Sequence, residues 1–343
     1  MYVLIRLLLT ACLLTLPLFA QELKFAELGD FRLESGEAIR DCRIGYRTFG
    51  KLNTEKSNAV LFPTWFGGTT ENLVGYIAPG KLVNPEKYFV ILADALGDGV
   101  SSSPSNSKRQ PHMKFPAFAI RDMVNAEHQL VEKVLNIPHL RGVIGISMGG
   151  MQTFQWIVAY PGFMDRAIPI VGSPKLTSYD LLLWQAGIHA IEADANWKGG
   201  DYTSPPEAGL RTLADIDGLA IETPSYRVRE TKPEDFKKFI EKSEHDTIHG
   251  FDANNWIRQA SAMMGHDVSR PFGGDMRKAA ASVKARVLVI VGLQDHMVNP
   301  QPALAFARLL QAHTLELDSD CGHLAPDCQA VKVDAAVERH LAE

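Results

Sequence analysis

The chain has 343 residues, of which 46% are hydrophobic and 22% are charged, and its formal net charge is −5. This composition is that of an ordinary globular protein, and the length allows one large α/β domain with an insertion, or two domains. Because the charge balance is slightly acidic and the basic residues are scattered, we predict no nucleic-acid partner.

The first 20 residues have the pattern of a secretory signal peptide. Arg6 precedes an apolar run over residues 7–19, too short to span a bilayer comfortably, and Ala20-Gln21 is a suitable cleavage point. The alternatives are lipoprotein processing at Cys12, disfavoured because the apolar run continues past that cysteine, and an uncleaved membrane anchor. We therefore predict a secreted or periplasmic mature protein, residues 21–343, without stable membrane insertion.

The first elements of the mature chain are predicted strands. Residues 25–49 alternate apolar and polar side chains around turn signals, a pattern typical of antiparallel edge strands. The apolar run 59–62 predicts a buried strand, and a glycine-rich loop follows it. A backbone N–H near Trp65 or Phe66 in this loop could stabilise a reaction oxyanion, the alternative being a plain connecting loop.

Strands and helices then alternate regularly. Residues 88–93 predict a buried strand, the long loop 94–116 a pocket rim, and residues 120–135 an amphipathic helix. A predicted strand before residue 147, a helix after it and a strand at residues 167–171 continue the pattern. This alternation predicts an α/β fold with a mostly parallel sheet flanked by helices.

The stretch Gly145-Ile146-Ser147-Met148-Gly149 joins a predicted strand to a predicted helix. A serine on so sharp a turn takes strained backbone angles, and glycine two residues before and after it avoids side-chain collisions. The helix N-terminus supplies free backbone N–H groups, so that of Met148 could face a developing oxyanion. The pattern indicates a nucleophilic serine, and the alternative is a chance arrangement of glycines around it.

The regular alternation stops after Pro174, and residues 175–280 are predicted to be rich in helices. This segment divides the predicted core into residues 21–174 and 281–343, and we predict that it forms a cap over the carboxyl edge of the sheet. Its tryptophans either line a substrate pocket or pack in the core. They are Trp184, Trp197 and Trp256.

Two later strands each end near a residue with catalytic chemistry. A predicted strand over residues 286–291 precedes Asp295, and another over residues 314–317 precedes His323. With Ser147 they follow the chain order nucleophile, acid, histidine, in which the histidine takes the serine proton and the acid orients the imidazole. Asp295 has the alternative role of a turn or helix-cap residue. Rival carboxylates follow the last strand at Asp318, Asp320 and Asp327.

The cysteines are the remaining residues with chemistry of their own. Cys12 would leave with the signal peptide. Cys321 and Cys328 could form a disulfide in an oxidising compartment and brace the loop that carries His323, or they could remain free thiols. No cluster has convincing metal-ligand spacing, so we predict neither a metal nor a cofactor.

Several stretches, spread over most of the mature chain, carry a family resemblance. They are Tyr88-Phe89-Val90, Phe115-Pro116, Ile120-Arg121-Asp122-Met123-Val124, Ser147-Met148-Gly149-Gly150-Met151-Gln152, Asn196-Trp197-Lys198-Gly199-Gly200-Asp201-Tyr202 and Phe251-Asp252-Ala253-Asn254. Together they resemble the homoserine O-acetyltransferase family of α/β-hydrolase-fold enzymes. The resemblance implies an inserted helical cap, an acyl-serine intermediate formed on Ser147 with Asp295 and His323, and a homodimer through the cap helices.

The chain departs from that family at three places. Leu324 follows the histidine, where the family usually has an acidic residue that holds the amino group of homoserine. The cap run 218–221, upstream of Tyr226, lacks the usual arginine, and residues 63–66 replace a His-Ala-Leu type run. We infer that the homoserine site is missing, and we take Phe66, Leu324 and Tyr226 as candidate substrate-binding residues.

The sequence therefore predicts an exported carboxylic ester hydrolase that acts on a small-molecule ester. Acetyl-CoA and homoserine are cytoplasmic metabolites, so water is the acceptor that suits an exported enzyme. The first alternative is a homoserine O-acetyltransferase-like enzyme that transfers the acyl group to an alcohol. The second is a non-catalytic binding protein that kept the fold.

Overall fold

The structure is a computed structural model that describes residues 22–343, so the predicted signal peptide at residues 1–20 lies outside the described residues. Within the described part, eight strands form one sheet. In chain order they are β1 (Lys24–Arg32), β2 (Ala38–Phe49), β3 (Ala59–Pro63), β4 (Phe89–Ala93), β5 (Leu140–Ile146), β6 (Met164–Ile170), β7 (Arg286–Gly292) and β8 (His313–Leu317).

The strands lie in the order β1-β2-β4-β3-β5-β6-β7-β8 across the sheet. β1 pairs antiparallel with β2, and β2 pairs antiparallel with β4, whereas the other neighbours are parallel. The predicted antiparallel edge strands and the mostly parallel sheet are therefore confirmed. Because parallel strands end at the same edge, the loops after β3, β5, β7 and β8 are collected there.

Helices cover both faces of this sheet. The α-helices of the described chain are α1 (Thr70–Leu73), α2 (Ile120–Gln129), α3 (Met148–Ala159), α4 (Ser178–Glu192), α5 (Glu207–Ala220), α6 (Pro224–Glu230), α7 (Phe236–Gly250), α8 (Ala253–Met264), α9 (Met276–Ser282), α10 (Gln301–Leu310), α11 (Ala325–Cys328) and α12 (Ala330–Ala342). Helices α2, α3 and α10 contribute to the apolar cluster on one face, and α1 and α12 to that on the other. No helix of residues 22–343 is long and apolar enough to cross a bilayer.

The central strands are apolar at consecutive positions because both of their faces are covered. In β5, Val143 belongs to one apolar cluster and Ile144 to the other, and both are fully buried. Successive side chains of a strand point to opposite faces, so each strand joins the two clusters. Burial on both faces makes the sheet a rigid support for the loops at its carboxyl edge.

The segment between β6 and β7 contains helices α4 to α9. Two of the stretches that carried the family resemblance pack together here. The Tyr202 hydroxyl donates to Asp252 Oδ2 at 2.6 Å, and the Asn254 side-chain amide donates to the Gly200 carbonyl at 2.8 Å. These bonds join the loop before α5 to the start of α8 and fix these two parts of the segment against each other.

Candidate active site

Ser147 occupies the turn between β5 and α3, with φ 57° and ψ −120°. Its backbone N–H donates to the Ile170 carbonyl at 2.8 Å. A Cβ at Gly145 would lie 1.9 Å from the Gly149 carbonyl oxygen, and a Cβ at Gly149 would lie 2.8 Å from that of Pro63. Both glycines are thus required by close backbone approach, which is the steric reason that the spacing predicts.

The structure brings the three predicted catalytic residues together. His323 Nε2 lies 2.9 Å from Ser147 Oγ, and His323 Nδ1 lies 2.7 Å from Asp295 Oδ2. Asp295 Oδ1 accepts the backbone N–H groups of Met297 at 2.8 Å and Val298 at 2.9 Å. A carboxylate facing Nδ1 holds the proton on that nitrogen, so Nε2 is free to accept the serine proton.

Within the described chain, the rival carboxylates form no hydrogen bond or ion pair with the histidine. Each interacts with another side chain: Asp318 with Gln294, Asp320 with Arg229, and Asp327 with Tyr76. Asp295 is thus the carboxylate of this set that orients His323. Elsewhere in residues 22–343, no group of three or more His, Cys, Asp or Glu side chains is arranged to hold a metal ion.

The loop that carries His323 is held by a backbone hydrogen bond and by a disulfide. The His323 N–H donates to the Ile221 carbonyl of the helical segment at 2.8 Å. Gly322 has φ +62°, and a Cβ there would lie 2.9 Å from the same carbonyl oxygen. Cys321 and Cys328 form a disulfide, which decides the alternative left open by their spacing.

The loop after β3 is held by side chains from two helices. The Gln152 side-chain amide of α3 donates to the Thr64 carbonyl at 3.0 Å. Gln259 of α8 accepts the Gly67 N–H at 2.8 Å and donates to the Leu96 carbonyl at 3.0 Å. Buried amide side chains that pair with loop backbone fix the loop's position relative to the serine turn.

The backbone N–H groups of Trp65 and Met148 are the predicted oxyanion donors. Trp65 lines the same cavity as Ser147, and Met148 is the first residue of α3. Within the described chain, neither N–H donates to another residue. Both donors are thus free to bind an oxygen atom.

Ser147 and His323 lie in the wall of a cavity of about 330 Å³. Its other walls are mostly aromatic and aliphatic, as is typical of a site for the apolar part of a small ligand. The sheet loops contribute Trp65, Phe66, Tyr76, Ile146, Met297, Leu324, Pro326 and Asp327, and the helical segment contributes Trp184, Asp217, Ile221 and Phe251.

Two of the three candidate substrate-binding residues lie in this wall. Phe66 and Leu324 both line the cavity, and the Phe66 ring packs against that of Trp184 with a centroid distance of 5.0 Å. Trp184 thus has both of the roles that the sequence left open, because it is 3% exposed and still lines the cavity.

Tyr226 is not brought to the cavity. Ile221 of the helical segment lies in the cavity wall, and α6 begins after it at Pro224. The Tyr226 ring lies 5.1 Å from the guanidinium carbon of Arg229 on the same helix. The expectation that Tyr226 binds substrate is therefore corrected, because the chain has left the cavity before this residue.

The sequence patterns did not predict a role for Asp217, which lies in the cavity wall. Burial raises the pKa of its carboxyl to about 7. Its neighbour Asp215 on α5 is exposed and lies outside this wall. No local pattern distinguishes the two aspartates, because the packing of α5 on the core decides which one faces the cavity.

The site lies in a region that matches a known protein family. The sequence model of the alpha/beta hydrolase fold matches residues 58–327 of this chain. The chain belongs to the α/β-hydrolase fold family. It is an enzyme of the ester-hydrolase type, and acyltransferases are also among its relatives.

Two esterases and one acyltransferase are similar to this chain. Ethyl acetate hydrolase of Pseudomonas veronii is 32% identical over 327 residues, which cover 92% of this chain and 93% of that protein. The crystal structure of the acetyl esterase MekB has a TM-score of 0.88 and 30% identity, covering 94% of this chain and 97% of that one. Homoserine O-acetyltransferase of Methanococcoides burtonii is 30% identical over 360 residues, covering 91% of this chain and 72% of that protein. The predicted resemblance is therefore confirmed.

Proposed function

We propose that this protein is an exported carboxylic ester hydrolase in which Ser147 is the nucleophile. The observation that carries the proposal is the hydrogen-bonded series from Asp295 to His323 to Ser147 at the wall of an apolar cavity. Serine is a weak nucleophile near neutral pH, and such a series activates it.

The first half-reaction forms an acyl-enzyme. Ser147 Oγ attacks the ester carbonyl carbon while its proton passes to His323 Nε2, and Asp295 stabilises the resulting imidazolium. The backbone N–H groups of Trp65 and Met148 bind the oxyanion of the tetrahedral intermediate. As the intermediate collapses, the imidazolium gives its proton to the leaving alkoxide, and the alcohol departs.

The second half-reaction uses water. His323 Nε2 takes a proton from a water molecule, which attacks the acyl carbon, and the acid is released as Ser147 recovers its proton. The protein groups end in their starting protonation states, so no cofactor is required by this reaction. Phe66 and Leu324 contact the apolar part of the substrate.

We infer that the substrate has a short acyl group. The acetyl esterase MekB and the ethyl acetate hydrolase of Pseudomonas veronii have names that specify acetyl esters, and both are similar to this chain over at least nine-tenths of its length. A cavity of about 330 Å³ is at the lower end of the range of ligand sites, which also favours a small ester.

The test is product analysis with 4-nitrophenyl acetate on residues 21–343, beside Ser147→Ala. We expect acetate and nitrophenol in equal amounts from the wild type, a transient mass increase of one acetyl group, and no turnover by the variant. Turnover that persists in Ser147→Ala would contradict the assignment of the nucleophile.

Acyl transfer to an alcohol is the second candidate, favoured by the similarity to homoserine O-acetyltransferase. Both reactions share the acyl-enzyme and differ only in the acceptor. A panel of alcohols added to the same assay separates them. Hydrolysis predicts that the yield of free acetate is unchanged, whereas a transferase would divert the acetyl group into a new ester.

Export is proposed from residues 1–20 and agrees with the disulfide between Cys321 and Cys328, a bond that persists in oxidising compartments. Fractionation of cells that express the full chain, with mass analysis of the mature N-terminus, tests the proposal. We expect a periplasmic or secreted protein that begins at Gln21. A protein that keeps Met1 in the cytoplasm would refute it.

A further inference from the structure

Asp217 is an unpaired carboxyl in the wall of the active-site cavity. It lies on α5 and shares the wall with Ser147 and His323. Among residues 22–343, no side chain forms a hydrogen bond or ion pair with its carboxyl. A half-buried carboxyl without a partner is costly, because the protein does not replace the hydration that it loses.

The charged groups of this wall are all acidic. The described residues that line the cavity include Asp217 and Asp327 but no lysine or arginine. Asp327 is already engaged, because its Oδ1 accepts the Tyr76 hydroxyl at 2.7 Å. Asp217 is therefore the carboxyl that is left to interact with a ligand, and the field in the cavity favours a positive charge.

Aromatic rings form much of the rest of the cavity wall. Trp65, Phe66, Trp184 and Phe251 line the same cavity. The faces of aromatic rings carry partial negative charge and attract ammonium groups, most strongly where water is excluded. A cavity that contains both a carboxyl and such rings provides both attractions that hold an alkylammonium ion.

The protonation of Asp217 would respond to a bound cation. Burial raises the pKa of its carboxyl to about 7, and no positive charge of the described chain opposes that effect. A bound cation would favour the ionised form and lower the pKa.

We propose that Asp217 is the specificity residue that selects esters carrying a positively charged ammonium group. The carboxylate pairs with the ammonium group while the ester carbonyl lies at Ser147. This proposal rests on the proposed ester hydrolase function, and it adds a class of substrate to that function.

Two esters of nearly identical shape provide the test. In 2-(trimethylammonio)ethyl acetate a positively charged nitrogen replaces the quaternary carbon of 3,3-dimethylbutyl acetate. We expect kcat/KM at pH 8 to favour the charged ester by about tenfold in the wild type, and the ratio to fall to about one in Asp217→Asn. If only part of a variant preparation is active, the measured kcat/KM falls by the same factor for both esters. The ratio of the two values therefore reports recognition of the charge alone.

The matched control is Asp215→Asn, which removes the same charge from an exposed position of the same helix. We expect this variant to keep the wild-type ratio, because Asp215 lies outside the wall of the cavity. A wild-type ratio of one, a preference for the neutral ester, or an equal loss of the ratio in both variants would overturn the proposal.

A binding measurement separates this proposal from the proposed catalysis. Ser147→Ala retains Asp217, so calorimetry can measure its affinity for both esters without turnover. We expect the charged ester to bind about tenfold more tightly than the neutral one. Equal affinities would overturn the role of Asp217 even if the wild type is an active esterase. Selective binding without turnover in the wild type would instead contradict the ester hydrolase.

Discussion

Ser147 holds a backbone conformation, φ 57° and ψ −120°, that residues with side chains rarely adopt. Such a conformation costs about 1–3 kcal/mol and persists only where the surroundings enforce it. Here the Gly145 Cα packs directly against the Gly149 backbone, and the Ser147 N–H is held by the Ile170 carbonyl. The strain fixes the hydroxyl at the carboxyl edge of the sheet, within hydrogen-bond distance of His323.

Asp295→Asn should leave the fold intact and remove most activity. The side-chain oxygen still accepts the N–H groups of Met297 and Val298, so the new amide nitrogen faces His323 Nδ1. That nitrogen donates a proton where the carboxylate accepted one, which selects the wrong imidazole tautomer. We expect kcat for 4-nitrophenyl acetate to fall on the order of 10³-fold or more, with little change in melting temperature.

The control for this variant is Asp318→Asn, which alters an exposed carboxylate that accepts a hydrogen bond from Gln294. Its activity should equal that of the wild type. Loss of activity in Asp318→Asn, with Asp295→Asn still active, would show that the orienting acid has been assigned to the wrong residue.

Helices α2 and α3 meet at a buried carboxyl. Glu127 of α2 accepts the Trp156 indole N–H of α3 at 2.7 Å, and it is only 1% exposed. Burial raises the pKa of Glu127 to about 8. The bond fixes one helix against the other, and it does so with a carboxyl that is mostly protonated at neutral pH.

This pKa predicts that stability falls as the pH rises. Between the ordinary pKa of 4.5 and about 8, folded Glu127 keeps a proton that the unfolded chain releases, so deprotonation favours unfolding. Glu127→Gln cannot ionise and still accepts the Trp156 N–H. We expect wild-type free energy of unfolding to fall about 2 kcal/mol more than that of the variant between pH 6.5 and pH 8.

Denaturant unfolding over that pH range measures this difference. His266 does not interfere, because burial lowers its pKa to about 4 and its effect on stability therefore lies at lower pH. The control is Glu132→Gln, which neutralises a half-exposed carboxylate one turn away and should parallel the wild type. Parallel curves for the wild type and Glu127→Gln would contradict a protonated Glu127.

The disulfide between Cys321 and Cys328 closes the loop that carries His323 and so affects the stability of the whole molecule. Closing a loop of this size stabilises a folded protein by about 2–3 kcal/mol. The double variant Cys321→Ser/Cys328→Ser should therefore melt roughly 5 °C lower than the wild type. Dithiothreitol should lower the wild-type melting temperature by a similar amount and leave the variant unchanged. A wild type that is insensitive to the reductant would contradict a stabilising bridge.

The helical segment also exposes an apolar surface, which we propose to be the interface of a homodimer. A groove of about 760 Å³ is lined by residues of α5, α6 and α7. Leu219 and Phe236 in its wall are 81% and 55% exposed. Exposed apolar side chains that cluster in this way are typical of protein interfaces.

Light scattering during gel filtration tests the dimer. We expect twice the chain mass for the wild type and a single chain mass for Leu219→Asp, because a buried charge would oppose association. The control is Val331→Asp, which places the same charge at a position of α12 that is 87% exposed and outside the groove. A wild type that elutes as a monomer would refute the interface.

Local sequence patterns were enough to predict the sheet and the positions of the reactive residues along it. Apolar periodicity and turn signals are local, so they predicted the strands before Ser147, Asp295 and His323. Because parallel strands end at one edge, the order of these residues also predicted that they would meet. The family resemblance was likewise visible in short stretches of sequence.

Long-range packing fixed how the helical segment meets that edge, and local patterns did not predict it. The packing of α5 turned Asp217 rather than Asp215 to the cavity, and the path of the chain after Ile221 kept Tyr226 away from it. These outcomes depend on contacts between residues far apart in sequence, and helical periodicity cannot specify which distant surface a face will cover. The disulfide between Cys321 and Cys328 was undecided for the same reason, because sequence spacing does not fix the distance between two side chains.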